Sequence, residues 1–123
     1  MTHATGSCTC GAIRISAKGD PKSVGICHCL DCRKHHGAVF YAAAAFAPSD
    51  VTITGDTHQY KDRHFCPTCG ASVFATSDGE VEIHLGILDT PNQFTPTYEL
   101  WCERRENWLP EFVGMQKHKR DRQ

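Results

Sequence analysis

The chain has 123 residues, 8 of them cysteine and 8 histidine, and its formal net charge is -1. That length fits one domain, and the near-neutral charge excludes a general nucleic-acid or membrane-surface binder. No apolar run approaches the roughly 20 residues of a membrane-spanning helix. The first residues carry no basic segment followed by an apolar one, so we expect no signal peptide and a cytoplasmic protein.

Short strands dominate the predicted secondary structure. In chain order, the predicted strands cover residues 13–17, 24–26, 38–46, 51–54, 73–74, 81–85 and 98–101. Such strands, recurring every 8–12 residues or so, are typical of all-β sandwiches and barrels. One short helix is predicted over residues 30–36, closed by Gly37. We therefore predict a mainly β fold with one short helix.

The end of the chain differs in composition from the rest. Residues 114–123 are basic, and Met115 is their one apolar side chain. We expect a single domain over residues 1–113, followed by a solvated and disordered tail over 114–123. A basic arm that binds an acidic partner is the alternative role for this tail.

Close clusters of cysteines predict metal ligands. In a reducing compartment, neighbouring thiols at this spacing indicate zinc binding rather than disulfides. Cys66 and Cys69 form a C-x-x-C turn, and Cys8 and Cys10 form a shorter C-x-C pair. Two thiolates do not close a tetrahedral zinc site. We therefore expect the two pairs to share one structural zinc ion, which ties the N-terminus to the middle of the chain.

A second cluster contains Cys27, Cys29 and Cys32 within six residues. Three protein ligands leave the fourth position of a zinc ion open, which is the mark of a catalytic site. The alternative is that Cys102 fills this position and closes a second four-cysteine site. Cys102 has no partner cysteine nearby in the chain, and we expect it to be a packing residue in the last strand, on the same face as Tyr98 and Leu100.

A zinc ion with three thiolate ligands favours thiol chemistry. Three thiolates leave the site with a negative charge, which weakens the metal as a Lewis acid but suits a fourth sulfur ligand. The expected substrate is therefore a small thiol, with glutathione the abundant cytoplasmic candidate. Arg33 and Lys34 could bind its carboxylates, or they could merely offset the thiolate charge. His28 lies between two ligands, so we expect its side chain to point away from the metal.

Three motifs resemble the glutathione-dependent formaldehyde-activating family, to which the centromere protein V domain also belongs. They lie at residues 6–14, 27–37 and 65–70, and the resemblance extends over about residues 5–112. It implies a β-tent fold of antiparallel sheets with two zinc ions per chain. The structural zinc would be held by Cys8, Cys10, Cys66 and Cys69. The catalytic zinc would be held by Cys27, Cys29 and Cys32, with the fourth position left to the substrate.

The same resemblance implies a reaction. The family's named activity joins formaldehyde to glutathione and yields S-(hydroxymethyl)glutathione, formally a carbon–sulfur lyase reaction run in reverse. The alternative function is a non-catalytic, zinc-stabilised module that binds a protein partner. An open second metal site favours the enzyme, whereas a closed second site or an exposed apolar patch favours the module. The sequence leaves the true substrate pair and the oligomeric state open.

Overall fold

The structure is a computed structural model that describes residues 3–122, and these residues form a mainly β protein. The strands are β1 (His3–Ser7), β2 (Arg14–Lys18), β3 (Ser23–Cys27), β4 (Tyr41–Phe46), β5 (Val51–Thr54), β6 (His58–Tyr60), β7 (Arg63–Phe65), β8 (Ser72–Ser77), β9 (Glu80–His84), β10 (Tyr98–Leu100) and β11 (Gln116–Lys117). The α-helix of the described residues is α1 (Leu30–His36). Short 3-10 turns cover Pro48–Asp50, Leu85–Ile87 and Cys102–Arg104. The predicted mainly β fold with one helix is confirmed.

The strands form two sheets. The smaller sheet has the order β1-β2-β5, and the larger has the order β11-β10-β3-β4-β9-β8-β7-β6. Most neighbours are antiparallel, as the family resemblance implies, but β10 runs parallel to both β3 and β11. Parallel neighbours need a long connection rather than a tight turn, and most of the chain separates β3 from β10. No helix among residues 3–122 is long and apolar enough to cross a membrane.

The core lies where apolar faces of the two sheets meet. Ile15 and Ala17 of β2 are buried and alternate with more exposed neighbours, as strand alternation requires. They belong to one cluster with Phe46 of β4 and Ile83 of β9, which are 1% and 0% exposed. Each large apolar side chain buried in this way stabilises the fold by about 1.5–3 kcal/mol. This core therefore joins the two sheets, and the loops that carry the cysteines extend from it.

Strand β10 departs from the predicted pattern. We expected Tyr98, Leu100 and Cys102 to share a core-facing side, but the buried residue of this strand is Glu99, which is 0% exposed. Trp101 then adopts a left-handed conformation with φ 57°, which ends the strand. Cys102 consequently lies in a 3-10 turn, where strand alternation no longer applies. The predicted face of Cys102 was wrong because one backbone reversal interrupts the period of two.

The C-terminal segment also differs from the prediction of a disordered tail. Gln116–Lys117 forms β11, which pairs with β10. Further on, the backbone N–H groups of Trp101 and Cys102 donate to the carbonyls of Arg120 and His118, both at 3.0 Å. The edge of β10 offers unpaired backbone donors and acceptors, and a polar segment can satisfy them without burying apolar side chains. Composition alone does not reveal that kind of contact.

Candidate metal centres

The first cysteine cluster joins two distant loops. The Sγ atoms of Cys8, Cys10, Cys66 and Cys69 all lie within 4.8 Å of one another. Cys10 Sγ lies 3.7 Å from both Cys8 Sγ and Cys66 Sγ. Zinc–sulfur bonds of about 2.3 Å in a tetrahedron would separate the sulfurs by about 3.8 Å. The pairing expected from the sequence is therefore present, and the donor set fits a closed metal site.

Backbone geometry shapes each loop of this cluster. The N–H of Gly70 donates to the Cys66 carbonyl at 2.8 Å, and Gly70 has φ 78°, a conformation that glycine adopts without a Cβ penalty. The N–H groups of Ile13 and Thr68 donate to the sulfurs of Cys8 and Cys66 at 3.2 and 3.4 Å. Such donors stabilise the thiolate form that binds metals.

The exposed thiol of Cys69 shows the same electrostatic effect. Backbone N–H donors from Ala71 and Cys10 lower the pKa of Cys69 to about 6. A thiol with such a pKa is largely ionised at neutral pH, and the thiolate is the metal ligand. Cys8 and Cys66 are buried in the main apolar cluster, whereas Cys10 and Cys69 are exposed, so this centre lies at the edge of the core.

The second cluster is built around the start of α1. Cys27 ends β3, Cys29 is the N-cap of the helix, and Cys32 lies in its first turn. The Cys32 N–H donates to Cys29 Sγ at 3.2 Å, so a sulfur takes the capping role usually played by an oxygen. The three Sγ atoms lie within 4.8 Å of one another. Gly37 closes the helix in the left-handed conformation, as predicted.

Cys102 is not a fourth member of this cluster. Its Sγ lies 3.8 Å from the Glu99 carbonyl oxygen. Among the described residues, the sulfurs that lie within 4.8 Å of one another at this cluster are those of Cys27, Cys29 and Cys32. The alternative of a closed second site with four cysteines therefore fails for the residues that the structure describes. The donor set leaves room for one further ligand on any metal held there.

Arg63 is the basic residue at the second cluster. It lies on β7, and its Nη2 donates to Cys32 Sγ at 3.7 Å. Hydrogen bonds from Cys27 and Cys29, together with the Arg63 charge, lower the pKa of Cys32 to about 6. Sequence reasoning missed Arg63, because it lies 31 residues after Cys32 and belongs to no motif.

A cavity of about 180 Å³ opens beside Cys32. Its walls include Arg63, Tyr41, His36 and His84. Burial lowers the pKa of His36 to about 4 and that of His84 to about 3, so both imidazoles are neutral at physiological pH. Burial also raises the pKa of Tyr41, which stays protonated. Positive charge in this cavity therefore comes from arginine and lysine rather than histidine.

The predicted basic pair lies elsewhere. Arg33 donates to the Arg104 carbonyl at 3.1 Å and forms an ion pair with Glu106 at 3.6 Å. Neither Arg33 nor Lys34 lines the cavity beside Cys32, where Lys61 and Arg63 are the cations. A helix rotates successive side chains by about 100°, so residues directly after Cys32 face away from it.

His28 points away from the sulfurs, as expected, and makes a buried polar contact. Its Nε2 lies 2.8 Å from Glu99 Oε1, and both side chains are 0% exposed. Arg105 Nε donates to the same oxygen at 3.2 Å. The Arg105 guanidinium also donates to the carbonyls of Leu109 and Pro110. The second cluster is thus tied to β10 and to the segment beyond it through a buried network.

The two sheets and the two thiol clusters define a mainly β protein whose cysteines can hold two metal ions. The sequence model of the family described as "Glutathione-dependent formaldehyde-activating enzyme" matches residues 3–104, and the chain belongs to this family. A crystal structure of a Rhodobacter sphaeroides protein is similar, with 26% identity, a TM-score of 0.57, and coverage of 72% of this chain and 91% of that one. Among curated proteins, none matches.

Proposed function

We propose that this chain is a zinc-dependent carbon–sulfur lyase of the glutathione-dependent formaldehyde-activating type. It would add a small thiol, glutathione in the first instance, to a small aldehyde such as formaldehyde, giving S-(hydroxymethyl)glutathione in the cytoplasm. One observation carries the proposal. Cys27, Cys29 and Cys32 converge without a fourth protein thiol among the described residues, at the wall of a cavity. A zinc ion held by three protein thiolates has an open fourth position, which a substrate thiol can occupy.

The two centres have different proposed roles. Cys8, Cys10, Cys66 and Cys69 would hold a structural zinc ion. The three thiols of the second cluster would hold the catalytic zinc, which when bound supplies a positive centre that keeps a substrate thiol ionised at neutral pH. The family match supports this division, since it covers both clusters.

The reaction itself is an addition with no other product. A sulfur–carbon bond forms, the carbonyl π pair moves to oxygen, and the proton lost by the thiol ends on that oxygen. The Arg63 guanidinium lies 3.7 Å from Cys32 Sγ and would stabilise the negative charge that develops on this oxygen. The imidazoles of His36 and His84 line the same cavity, and because they are neutral they do not compete with Arg63 for the negatively charged oxygen. Preorganised positive charge in a partly desolvated cavity stabilises such an oxyanion.

The alternative, a non-catalytic module for a protein partner, would be favoured by a closed second metal site or by an exposed apolar patch. The contact of Cys102 Sγ with the Glu99 carbonyl argues against such closure. The exposed large apolar side chains among residues 3–122 are few: Leu30, Tyr60, Trp108 and Val113. The enzyme is therefore the better supported function.

Exchange spectroscopy tests the proposal. The zinc-loaded protein would be mixed with glutathione and ¹³C-formaldehyde, and NMR would measure the exchange rate between free glutathione and its hydroxymethyl adduct. We expect faster exchange than in buffer at an unchanged equilibrium position. The matched control is Cys29→Ser, which removes one ligand of the second cluster. Equal exchange rates with the wild type, with Cys29→Ser and in buffer would refute the enzyme.

A further inference from the structure

A second cavity of about 150 Å³ adjoins the first. The two cavities share Tyr41, Ser77 and Glu82 as wall residues. The first reaches Cys32 and the second reaches Cys27, so both open beside the three-thiol cluster. Because they share these walls, we treat the two cavities as one groove along the larger sheet that reaches the cluster at Cys32 and at Cys27. We call this the substrate groove.

The far end of the substrate groove is built around Tyr98. A Cβ at Gly25 would overlap the Tyr98 ring, so glycine at this position makes room for the ring to lie across β3. The Tyr98 hydroxyl donates to Ser23 Oγ at 3.2 Å. The guanidinium of Arg122 stacks on the ring, 4.1 Å from its centroid, and Arg122 lines the second cavity.

The C-terminal segment holds Arg122 in this position. Its β11 pairs with β10, and Trp101 Nε1 donates to Asp121 Oδ1 at 2.8 Å. Arg120 forms an ion pair with Glu103 at 3.3 Å. The family match ends at residue 104, so the segment that carries Arg122 lies beyond the part that this chain shares with the family model.

Each of the two cavities has an arginine in its wall. Arg63 lines the first cavity beside Asp62. Arg122 lines the second beside Glu80, which pairs with Lys22 at 3.9 Å. Within residues 3–122, neither arginine forms an ion pair with a carboxylate. Glu82 lies between them, and its two oxygens already accept from the hydroxyls of Tyr41 and Ser77. A guanidinium binds a carboxylate through two parallel hydrogen bonds, and stacking on an aromatic ring orients it for that purpose.

We propose that the C-terminal segment is a substrate-recognition element in which Arg122 binds a carboxylate of the thiol substrate. This inference rests on the proposed function, because it assumes that the substrate thiol is bound at the three-cysteine cluster. Since the proposed function places Arg63 at the reacting oxygen, Arg122 is the arginine of the groove that remains for a substrate carboxylate, and the groove selects a thiol that carries one. Glutathione carries carboxylates, whereas 2-mercaptoethanol carries none.

Thiol binding to the cobalt-substituted protein provides a test that does not depend on turnover. The absorption band between thiolate and cobalt would report the Kd of glutathione and of 2-mercaptoethanol. Arg122→Gln should weaken glutathione binding about tenfold, the loss expected for one charge-assisted pair, and change 2-mercaptoethanol binding less than about twofold. The matched control is Lys119→Gln, which removes the same charge from the same segment outside the groove walls. It should leave both Kd values unchanged.

The outcomes separate this inference from the proposed function. If the wild type binds glutathione and accelerates adduct exchange, but Arg122→Gln has the same Kd for it, only the recognition role is overturned. Equal weakening of both thiols by Arg122→Gln also overturns it, since a carboxylate contact acts on glutathione alone. If the wild type binds neither thiol at cobalt, the proposed function fails and this inference with it.

Discussion

His28 Nε2 and Glu99 Oε1 lie 2.8 Å apart in the interior, although the two fully buried residues are 71 positions apart in the chain. His28 separates two cysteines of the second cluster, and Glu99 is the buried residue of β10. Arg105 donates to the same carboxylate oxygen. The contact therefore links the loop of the second cysteine cluster to the sheet edge that receives the C-terminal segment.

Removing the Glu99 carboxylate should destabilise the protein strongly. Glu99→Ala leaves His28 and Arg105 without their buried partner, and breaking a buried charged network in this way costs about 3–5 kcal/mol. Urea denaturation of the metal-loaded protein measures the free energy of unfolding. The control is Glu103→Ala, which removes the surface pair with Arg120 and should cost less than about 1 kcal/mol. Similar losses for the two variants would contradict a structural role specific to Glu99.

Purified protein should contain two zinc ions per chain. The four-thiol and three-thiol clusters supply two groups of converging sulfurs, and thiolate ligands favour zinc over hard cations such as magnesium and calcium. Elemental analysis of protein prepared under reducing, zinc-replete conditions measures the content. Partial loss of one ion is compatible with the weaker three-ligand site. One zinc ion or fewer after full loading would refute the assignment of two sites.

Mutations in the two clusters should have different effects on folding. Cys66→Ser breaks a buried site that joins two loops to the core, and structural zinc binding contributes on the order of 10 kcal/mol in small domains. This variant should unfold or aggregate. Cys29→Ser should stay folded, because the core and the first cluster persist, while losing the second metal and any activity. Thermal melts of both variants provide the comparison, and equal destabilisation would count against the division into structural and catalytic sites.

Cys102 should be dispensable for metal binding. Its thiol lies outside the three-sulfur group, so Cys102→Ala should cost about 1 kcal/mol or less as a small packing defect. Zinc content should stay at the wild-type value. Titration under chelator competition measures the affinity of the second site. A large fall in that affinity would identify Cys102 as a ligand and shift the proposed function towards the non-catalytic module.

Arg63 should matter for thiol addition. Arg63→Gln removes the cation beside Cys32 and should lower kcat/KM for adduct formation about 10- to 100-fold, the range for one charge-assisted contact. Arg63→Lys should recover part of the rate by restoring the charge. The control is Arg14→Gln on β2, an exposed position that lines no wall of the groove. A loss with Arg33→Gln as large as that with Arg63→Gln would restore the sequence-based choice of Arg33.

Local patterns in the sequence were sufficient for the features that depend on local geometry. The C-x-C and C-x-x-C spacings predicted which neighbouring thiols converge, because a tight turn directs both of its sulfurs to one region, and the need for four ligands predicted that the two pairs meet. The helix over Leu30–His36 and its closure at Gly37 follow from capping and backbone preference. Alternation of apolar residues predicted strands such as β2 and β9, and hence the mainly β class.

Tertiary structure alone decided the contacts that carry no local signal. Arg63 meets Cys32 and Glu99 meets His28 across 31 and 71 residues, and neither pair belongs to a motif. Because Trp101 adopts a left-handed conformation, Cys102 does not lie on the predicted face of the strand. The edge of β10 pairs with the C-terminal strand β11. Periodicity reports which side of an element is apolar, whereas strand order and backbone pairing determine which charged side chains meet at a site.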